Sequence, residues 1–173
     1  MAFRKLQLDD LELLHAWLNT PHVSRWYGCK LPTYEQVFQK YAPRIKGQIP
    51  TQTYLILVDE TPIGYIQTYR MSDHPEYNAH VEADEHTAGL DLFIGQADLI
   101  HKGFGTAILT RFLADVVFKD QSISSCVVGP EPDNLAAIRC YEKVGFRYYR
   151  TIHQPSEPQG EILMRIIRSE LNS

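Results

Sequence analysis

Lys102-Gly103-Phe104-Gly105-Thr106 is the stretch on which the reading of the fold turns. It follows an apolar strand-like run, Leu90 to Ile94, and opens directly into a helical stripe of Ile108, Leu109, Phe112, Leu113, Val116 and Val117. The first N–H groups of a helix have no partner within it and carry the positive end of the macrodipole, which suits a phosphate. Glycine has no Cβ, so the backbone at Gly103 and Gly105 can approach a pyrophosphate closely. Two glycines before a helix also serve as a plain tight turn, so the motif gains weight from its sequel. About thirty residues on comes Asn134-Leu135-Ala136-Ala137-Ile138-Arg139-Cys140-Tyr141-Glu142-Lys143-Val144-Gly145-Phe146, a second capped helix closed by glycine.

Outward from these segments the chain reads as strands and helices in alternation. Phe3 to Leu6 is a short opening strand, and Asp9 or Asp10 caps a helix with Leu11, Leu14, Trp17 and Leu18 on one face. A second helix starts near Thr33 and runs through Val37, Phe38 and Tyr41, with Pro43 and Pro50 bracketing a frayed end. Thr53 to Val58 and Ile63 to Tyr69 are strands joined by a turn at Asp59-Glu60-Thr61-Pro62. Leu90 to Ile94, Ser124 to Val128, Phe146 to Ile152 and Glu161 to Ile167 are further strands. The spacing predicts helices over Thr106 to Phe118 and, capped by Asp133 or Asn134, through Val144, and a Pro-rich loop over 154–160. Strand–helix–strand units favour right-handed parallel pairing, with ligands at the carboxyl ends of the strands.

Composition narrows the classes. The 173 residues read as a single domain, 1–173, with ordinary hydrophobic (44%) and charged (22%) content. A net charge of −4 opposes non-specific nucleic-acid binding, and no apolar run reaches the roughly 20 residues needed to span a bilayer. Met1 to Lys5 has no apolar segment behind it, so no secretory signal is expected. Cys29, Cys126 and Cys140 lack metal-type spacing and read as reduced thiols of a cytoplasmic protein.

From Phe3 to about Ile167 the element order resembles the GCN5-related N-acetyltransferase (GNAT) family. Three stretches look more specifically like aminoglycoside 6'-N-acetyltransferases: Trp26-Tyr27-Gly28, then Gly89-Leu90-Asp91 with Phe93-Ile94-Gly95, then Ala137 to Lys143 with Gly145-Phe146. The resemblance implies an α/β (α+β) fold, one mixed and mostly antiparallel sheet of about six or seven strands flanked by about four helices. It implies acetyl-CoA as co-substrate, with no metal. Two positions depart from the pattern: Ile100 stands where many members have Arg or Gln, and Leu92 where the subgroup has Gln after the Asp.

The resemblance also distributes roles. Lys102, Gly103, Phe104, Gly105 and Thr106 would bind the pyrophosphate, while the backbone of Phe93 and Ile94 and the side chain of Asn134 would hold the pantetheine arm. Asn134 is equally an N-cap. Tyr141 matches the position of a general acid that protonates the departing sulfur; its alternative is core packing. Asp91 can orient an ammonium and accept its proton. Trp26 and Tyr27 would stack on a sugar ring or cation, or else anchor the first helices in the core.

The interval from Met71 to His101 has no Lys or Arg, yet holds Asp73, Glu76, Glu82, Asp84, Glu85, Asp91 and Asp98. It is either a solvated loop or the negative wall of a site for a polycation, in which Glu76 and Asp84 would join Asp91 in binding the substrate. His74, His80 and His86 recur every six residues, a period that fits neither a helix nor a strand face and argues against a metal site. No nucleophilic Ser or Cys context is visible, so direct transfer in a ternary complex is expected. The acceptor expected is a primary amine on a polycationic small molecule, foremost the 6'-amine of an aminoglycoside, making the chain a resistance enzyme. The alternatives are a siderophore precursor, a polyamine or a protein amine, or a silent acyl-CoA-binding module. No nucleic-acid or membrane partner is expected, and monomer and homodimer both remain open.

Overall fold

A computed structural model of the chain describes residues 1–28, 31–154 and 157–171. Cys29 lies outside the described residues. The strands, in sequence order, are β1 (Ala2–Lys5), β2 (Thr51–Val58), β3 (Thr61–Arg70), β4 (Thr87–Ile94), β5 (Ser125–Val128), β6 (Arg147–Gln154) and β7 (Glu157–Ile167). They form one seven-stranded sheet in the order β1-β2-β3-β4-β5-β7-β6. β4 and β5 are parallel, whereas β1/β2, β5/β7 and β6/β7 are antiparallel, so the sheet is mixed as expected.

Two compact units divide the chain. The first comprises Met1–Gln67 and Leu92–Lys102. In it α1 (Leu11–Leu18) buries the Leu11, Leu14, Trp17 and Leu18 face read from the sequence. Asp10 does not cap α1 through its side chain; its carboxylate takes Arg4 at 3.0 and 2.8 Å and accepts from the Gln7 N–H at 2.8 Å. A short helical turn not foreseen, α2 (Pro21–Ser24), follows. α3 (Tyr34–Ile45) opens on a capping box in which Thr33 Oγ1 accepts from the Gln36 N–H and Gln36 Oε1 accepts from the Thr33 N–H. It runs through Pro43 rather than fraying there. Proline in the last turn forfeits only one helical bond, and the Pro43 carbonyl accepts from Gln48 N–H at 2.9 Å, closing the end. Asp59 and Glu60, with φ of 48° and 64°, make a two-residue hairpin between β2 and β3, so Thr61 and Pro62 belong to the strand. Leu11, Leu14, Leu55, Val37, Tyr41, Tyr65 and Phe93 are among the side chains that fill this unit's core.

The second unit comprises Thr68–Asp91 and Gly103–Ser173. Part of the acidic interval is a helix, α4 (Pro75–Val81), with proline in its first turn and Val81 buried. Its end is fixed to β6: Arg150 pairs with Glu82 at 2.8 Å, and Tyr149 Oη donates to the Glu82 carbonyl at 3.2 Å. α5 (Phe104–Phe112) passes into a π-helical turn, Leu113–Val117, where the sequence predicts α-helix to Phe118. The Phe118 N–H reaches back to the Leu113 carbonyl at 2.8 Å, a wider turn that leaves Phe112, Leu113 and Val117 all buried. α6 (Leu135–Val144) has Asn134 as N-cap and left-handed Gly145, φ 115°, as its stop. β6 runs to Gln154 and β7 begins at Glu157, so 154 and 157–160 of the expected loop are strand, and 155 and 156 lie outside the described residues. The core here is built on Met71, Val81, Val127, Ile152 and Leu163. Among the described residues no helix is long and apolar enough to cross a membrane.

Candidate active site

The glycine turn stands at the start of α5. Gly103 is the N-cap, with φ 84°, a left-handed conformation that disfavours any side chain. A Cβ there would meet nothing within 4 Å, so this helix end opens on unobstructed space. Gly105 serves a different end. A Cβ would lie 2.9 Å from Cys140 Sγ, so this glycine lets α5 pack on α6. Thr106 Oγ1 contacts the same sulfur at 3.7 Å. At Gly105 the missing Cβ thus makes room for a neighbouring helix, while its backbone N–H stays in the first turn of α5. Lys102 is exposed. Asn134 Oδ1 accepts from the Ala137 N–H at 3.2 Å, so the capping role is filled.

β4 and β5 run in register from Thr87–Ser125 to Gly89–Val127, and β4 continues past that pairing. Asp91, two residues beyond Gly89, is half-buried and engaged in interactions of its own. Its charge is felt by four groups from four elements: Tyr69 on β3, Tyr77 on α4, Cys126 on β5 and Tyr141 on α6. Burial is the main reason that the Tyr141 phenol holds its proton well above the usual tyrosine range, and the nearby Asp91 carboxylate is the next. Tyr141 is only 9% exposed, and its ring meets Phe146 edge-on at 5.6 Å. The same two causes, in the same order, push the Tyr69 phenol and the Cys126 thiol upward. A carboxylate therefore sits within electrostatic reach of a phenol that stays neutral. The pair can accept one proton and donate another.

The sequence reading missed Tyr69, Tyr77 and Glu161 around this carboxylate. Tyr77 Oη donates to Glu161 Oε2 at 2.9 Å, and burial followed by the Glu161 charge raises its pKa. Pro75 at the first helical position, with Tyr77 and Val81 four apart, was the available signal for α4. Tyr69 lies over β4 where there is no side chain: a Cβ on Gly89 would come within 2.4 Å of its ring.

Other expected residues are placed less suggestively. Glu76 is exposed in the first turn of α4. Asp84 is exposed too, and its Oδ1 accepts from the His86 N–H at 2.9 Å and the Thr87 hydroxyl at 2.8 Å, which makes it a turn-forming residue. In the first unit, Tyr27 packs edge-on against Phe93 at 4.9 Å and Tyr65 at 6.3 Å, so its ring anchors the core. Phe93 is buried and stacks on Tyr65. The Ile94 carbonyl is in contact with His22 Nε2 at 3.1 Å. Trp26 is half-buried, with the Arg25 guanidinium 4.5 Å over its ring, so a cation from the chain itself already occupies that face. Among the described residues no group of three or more His, Cys, Asp or Glu is arranged to hold a metal ion. Cys126 and Cys140 are free thiols.

Residues 7–154 match the Acetyltransferase (GNAT) domain. The chain belongs to the GNAT acetyltransferase family. This acetyltransferase is 33% identical over 160 residues to aminoglycoside N(6')-acetyltransferase type 1 of Klebsiella pneumoniae, covering 91% of the chain and 79% of that protein. A crystal structure of the aminoglycoside acetyltransferase AAC(6')-Ib with coenzyme A and kanamycin superposes with a TM-score of 0.87 at 31% identity, over 98% of this chain and 95% of that one. The lysine N-acyltransferase MbtK of Mycobacterium tuberculosis is 24% identical over 150 residues, 85% of the chain and 69% of that protein.

Proposed function

We propose that the chain, acting over 1–173 as one cytoplasmic domain, transfers the acetyl group of acetyl-CoA to the 6'-amine of aminoglycosides in a ternary complex. The observation that carries the reading is the neutral, buried Tyr141 phenol lying under the influence of the Asp91 carboxylate. It occurs in a chain one-third identical to an aminoglycoside N(6')-acetyltransferase.

The residues suit both substrates. The left-handed, unobstructed Gly103 and the first amides of α5, Phe104 to Thr106, fit a pyrophosphate by backbone N–H and helix dipole. Acetyl-CoA supplies an acetyl group already activated as a thioester. Asp91 orients the acceptor's ammonium and takes its proton, leaving a nitrogen lone pair to form the new C–N bond. Tyr141 gives its proton to the sulfur as the C–S bond breaks, and the tyrosinate is restored to a phenol by the second proton that the nitrogen sheds on becoming an amide. Its raised pKa keeps that proton available at every physiological pH. Acetylation removes one positive charge and one ammonium donor from the drug, weakening its attraction to RNA phosphate, and resistance is the expected phenotype.

Initial rates of thiol release from acetyl-CoA with a panel of aminoglycosides test this. Turnover that requires a free 6'-amine supports the reading, and absence of turnover across the panel overturns it. The likeness to a lysine N-acyltransferase favours one rival, acyl transfer to an amine of low charge. A polycation's kcat/KM falls steeply with salt and a weakly charged acceptor's does not, which separates the two.

A further inference from the structure

We propose that Glu161 is a specificity-determining residue: its carboxylate, held by Tyr77 and seated over the bare backbone of Gly129, receives a second ammonium of the acceptor. This deepens the reading of the chain as an aminoglycoside acetyltransferase and rests on it.

The placement follows from the sheet. β5 lies between β4 and β7 in the strand order. Its pairing with β4 runs to Gly89–Val127 and its pairing with β7 to Val128–Met164. Asp91 lies two residues beyond the first of these, and Glu161 three residues before Met164 on the antiparallel strand. The two carboxylates therefore flank the same carboxyl end of β5, one from each neighbouring strand. That end is where open sheets that contain parallel strands bind their ligands. The Ile162 N–H donates to the Pro130 carbonyl at 2.9 Å, which fixes β7 at this level.

At this end of β5 the residue after Val128 is Gly129, which carries no side chain. A Cβ on Gly129 would stand 2.5 Å from Glu161 Oε2 and 3.3 Å from Tyr77 Oη, so glycine is what admits both groups. Tyr77 donates to Glu161 at 2.9 Å, and the charges of both Asp91 and Glu161 reach Tyr69 and Tyr77. Two acids that share the same phenols make a doubly negative field at one strand end. An acceptor with one ammonium needs only Asp91. An acceptor with several can meet both, and pairing across this end is what a polycation offers.

Three variants separate recognition from mere support. Glu161→Gln retains an oxygen for the Tyr77 hydroxyl and loses only the charge. Gly129→Ala keeps the charge and displaces the carboxylate, which is the flexible end of its side chain. Tyr77→Phe removes the tether alone. KM is measured for kanamycin and for 6-amino-6-deoxyglucose, which has one ammonium, with acetyl-CoA affinity and thermal midpoint recorded for each variant. For Glu161→Gln and Gly129→Ala, the KM for kanamycin should rise about tenfold, the worth of one charge-assisted hydrogen bond, and the KM for the single amine should rise far less. The gap should narrow as salt is raised. Wild-type KM for both acceptors in Glu161→Gln, or an equal rise for both, would reduce Glu161 to a structural partner of Tyr77 and overturn the proposal. A wild-type chain that acetylates no aminoglycoside but does bind acetyl-CoA would instead remove the parent reading, and this one with it.

Discussion

Replacing Tyr141 by Phe removes one hydroxyl from a side chain that is 9% exposed and leaves its edge-on contact with Phe146 in place. Folding should therefore be almost unaffected, with a change of about 1 kcal/mol or less. Catalysis should respond differently. A positioned general acid contributes roughly 10²–10⁴-fold, and the departing thiolate of a thioester is a fairly good leaving group, which points to the lower part of that range. A fall in kcat of about 100-fold corresponds to about 2.7 kcal/mol of barrier. The pH profile sharpens the test. Burial, then Asp91, holds the phenol protonated beyond the ordinary tyrosine range, so wild type and variant should differ by the same factor between about pH 6 and 9. The assay is steady-state thiol release at saturating acetyl-CoA, with acetyl-CoA affinity measured separately by calorimetry. A Phe variant within about threefold of wild-type kcat across that window would refute the acid role, since no smaller effect counts as general acid catalysis.

Asp91→Asn should lower kcat by about 100-fold or more while acetyl-CoA still binds, as read by the same pair of assays. Gly103→Ala forces a side chain into a backbone with φ 84°; it should cost about 1 kcal/mol in a urea melt and weaken acetyl-CoA binding, whereas unchanged affinity would count against the turn as a phosphate site. Gly105→Ala puts a Cβ 2.9 Å from Cys140 Sγ, so its loss of stability, about 1–2 kcal/mol, should be largely relieved by adding Cys140→Ala. Alkaline pH should unfold the protein cooperatively. Tyr69, Tyr77, Tyr141 and Cys126 all have folded pKa values above their unfolded ones, so the stability they contribute is whole below about pH 8.5 for the thiol and about pH 10 for the phenols. It is lost as pH rises further, and the buried phenols should show their ultraviolet ionisation band only as the fold melts.

Much of the framework was legible because its signals are local. The α6 string carries its own cap at Asn134 and its own stop at Gly145, and both act as written. The first-helix face of Leu11, Leu14, Trp17 and Leu18 needed only a 3.6-residue period. What escaped depends on contacts distant in sequence. α4 sits in a polar, acidic stretch whose helical pattern is two residues wide, and its end is tied to Arg150 and Tyr149 far along the chain. The π-helical turn after Phe112 answers to burial of Leu113 and Val117, which local propensity does not encode. The candidate site was half readable. Asp91, Tyr141 and Gly103 stood in recognisable strings, but Glu161 meets Tyr77 across 84 residues, and no local pattern announces such a pair. Gly105, Asp84 and Tyr27 show the reverse: residue types suited to ligands that the fold employs for packing or turns.

Identifying the product decides whether the chain acetylates the 6'-amine of an aminoglycoside. Purified protein is incubated with acetyl-CoA and kanamycin, and the modified drug is analysed by mass spectrometry and NMR. One added acetyl group is expected, carried as an amide on the 6'-nitrogen. Acetyl on any other nitrogen or on oxygen, or unmodified drug beside protein that binds acetyl-CoA, would contradict it.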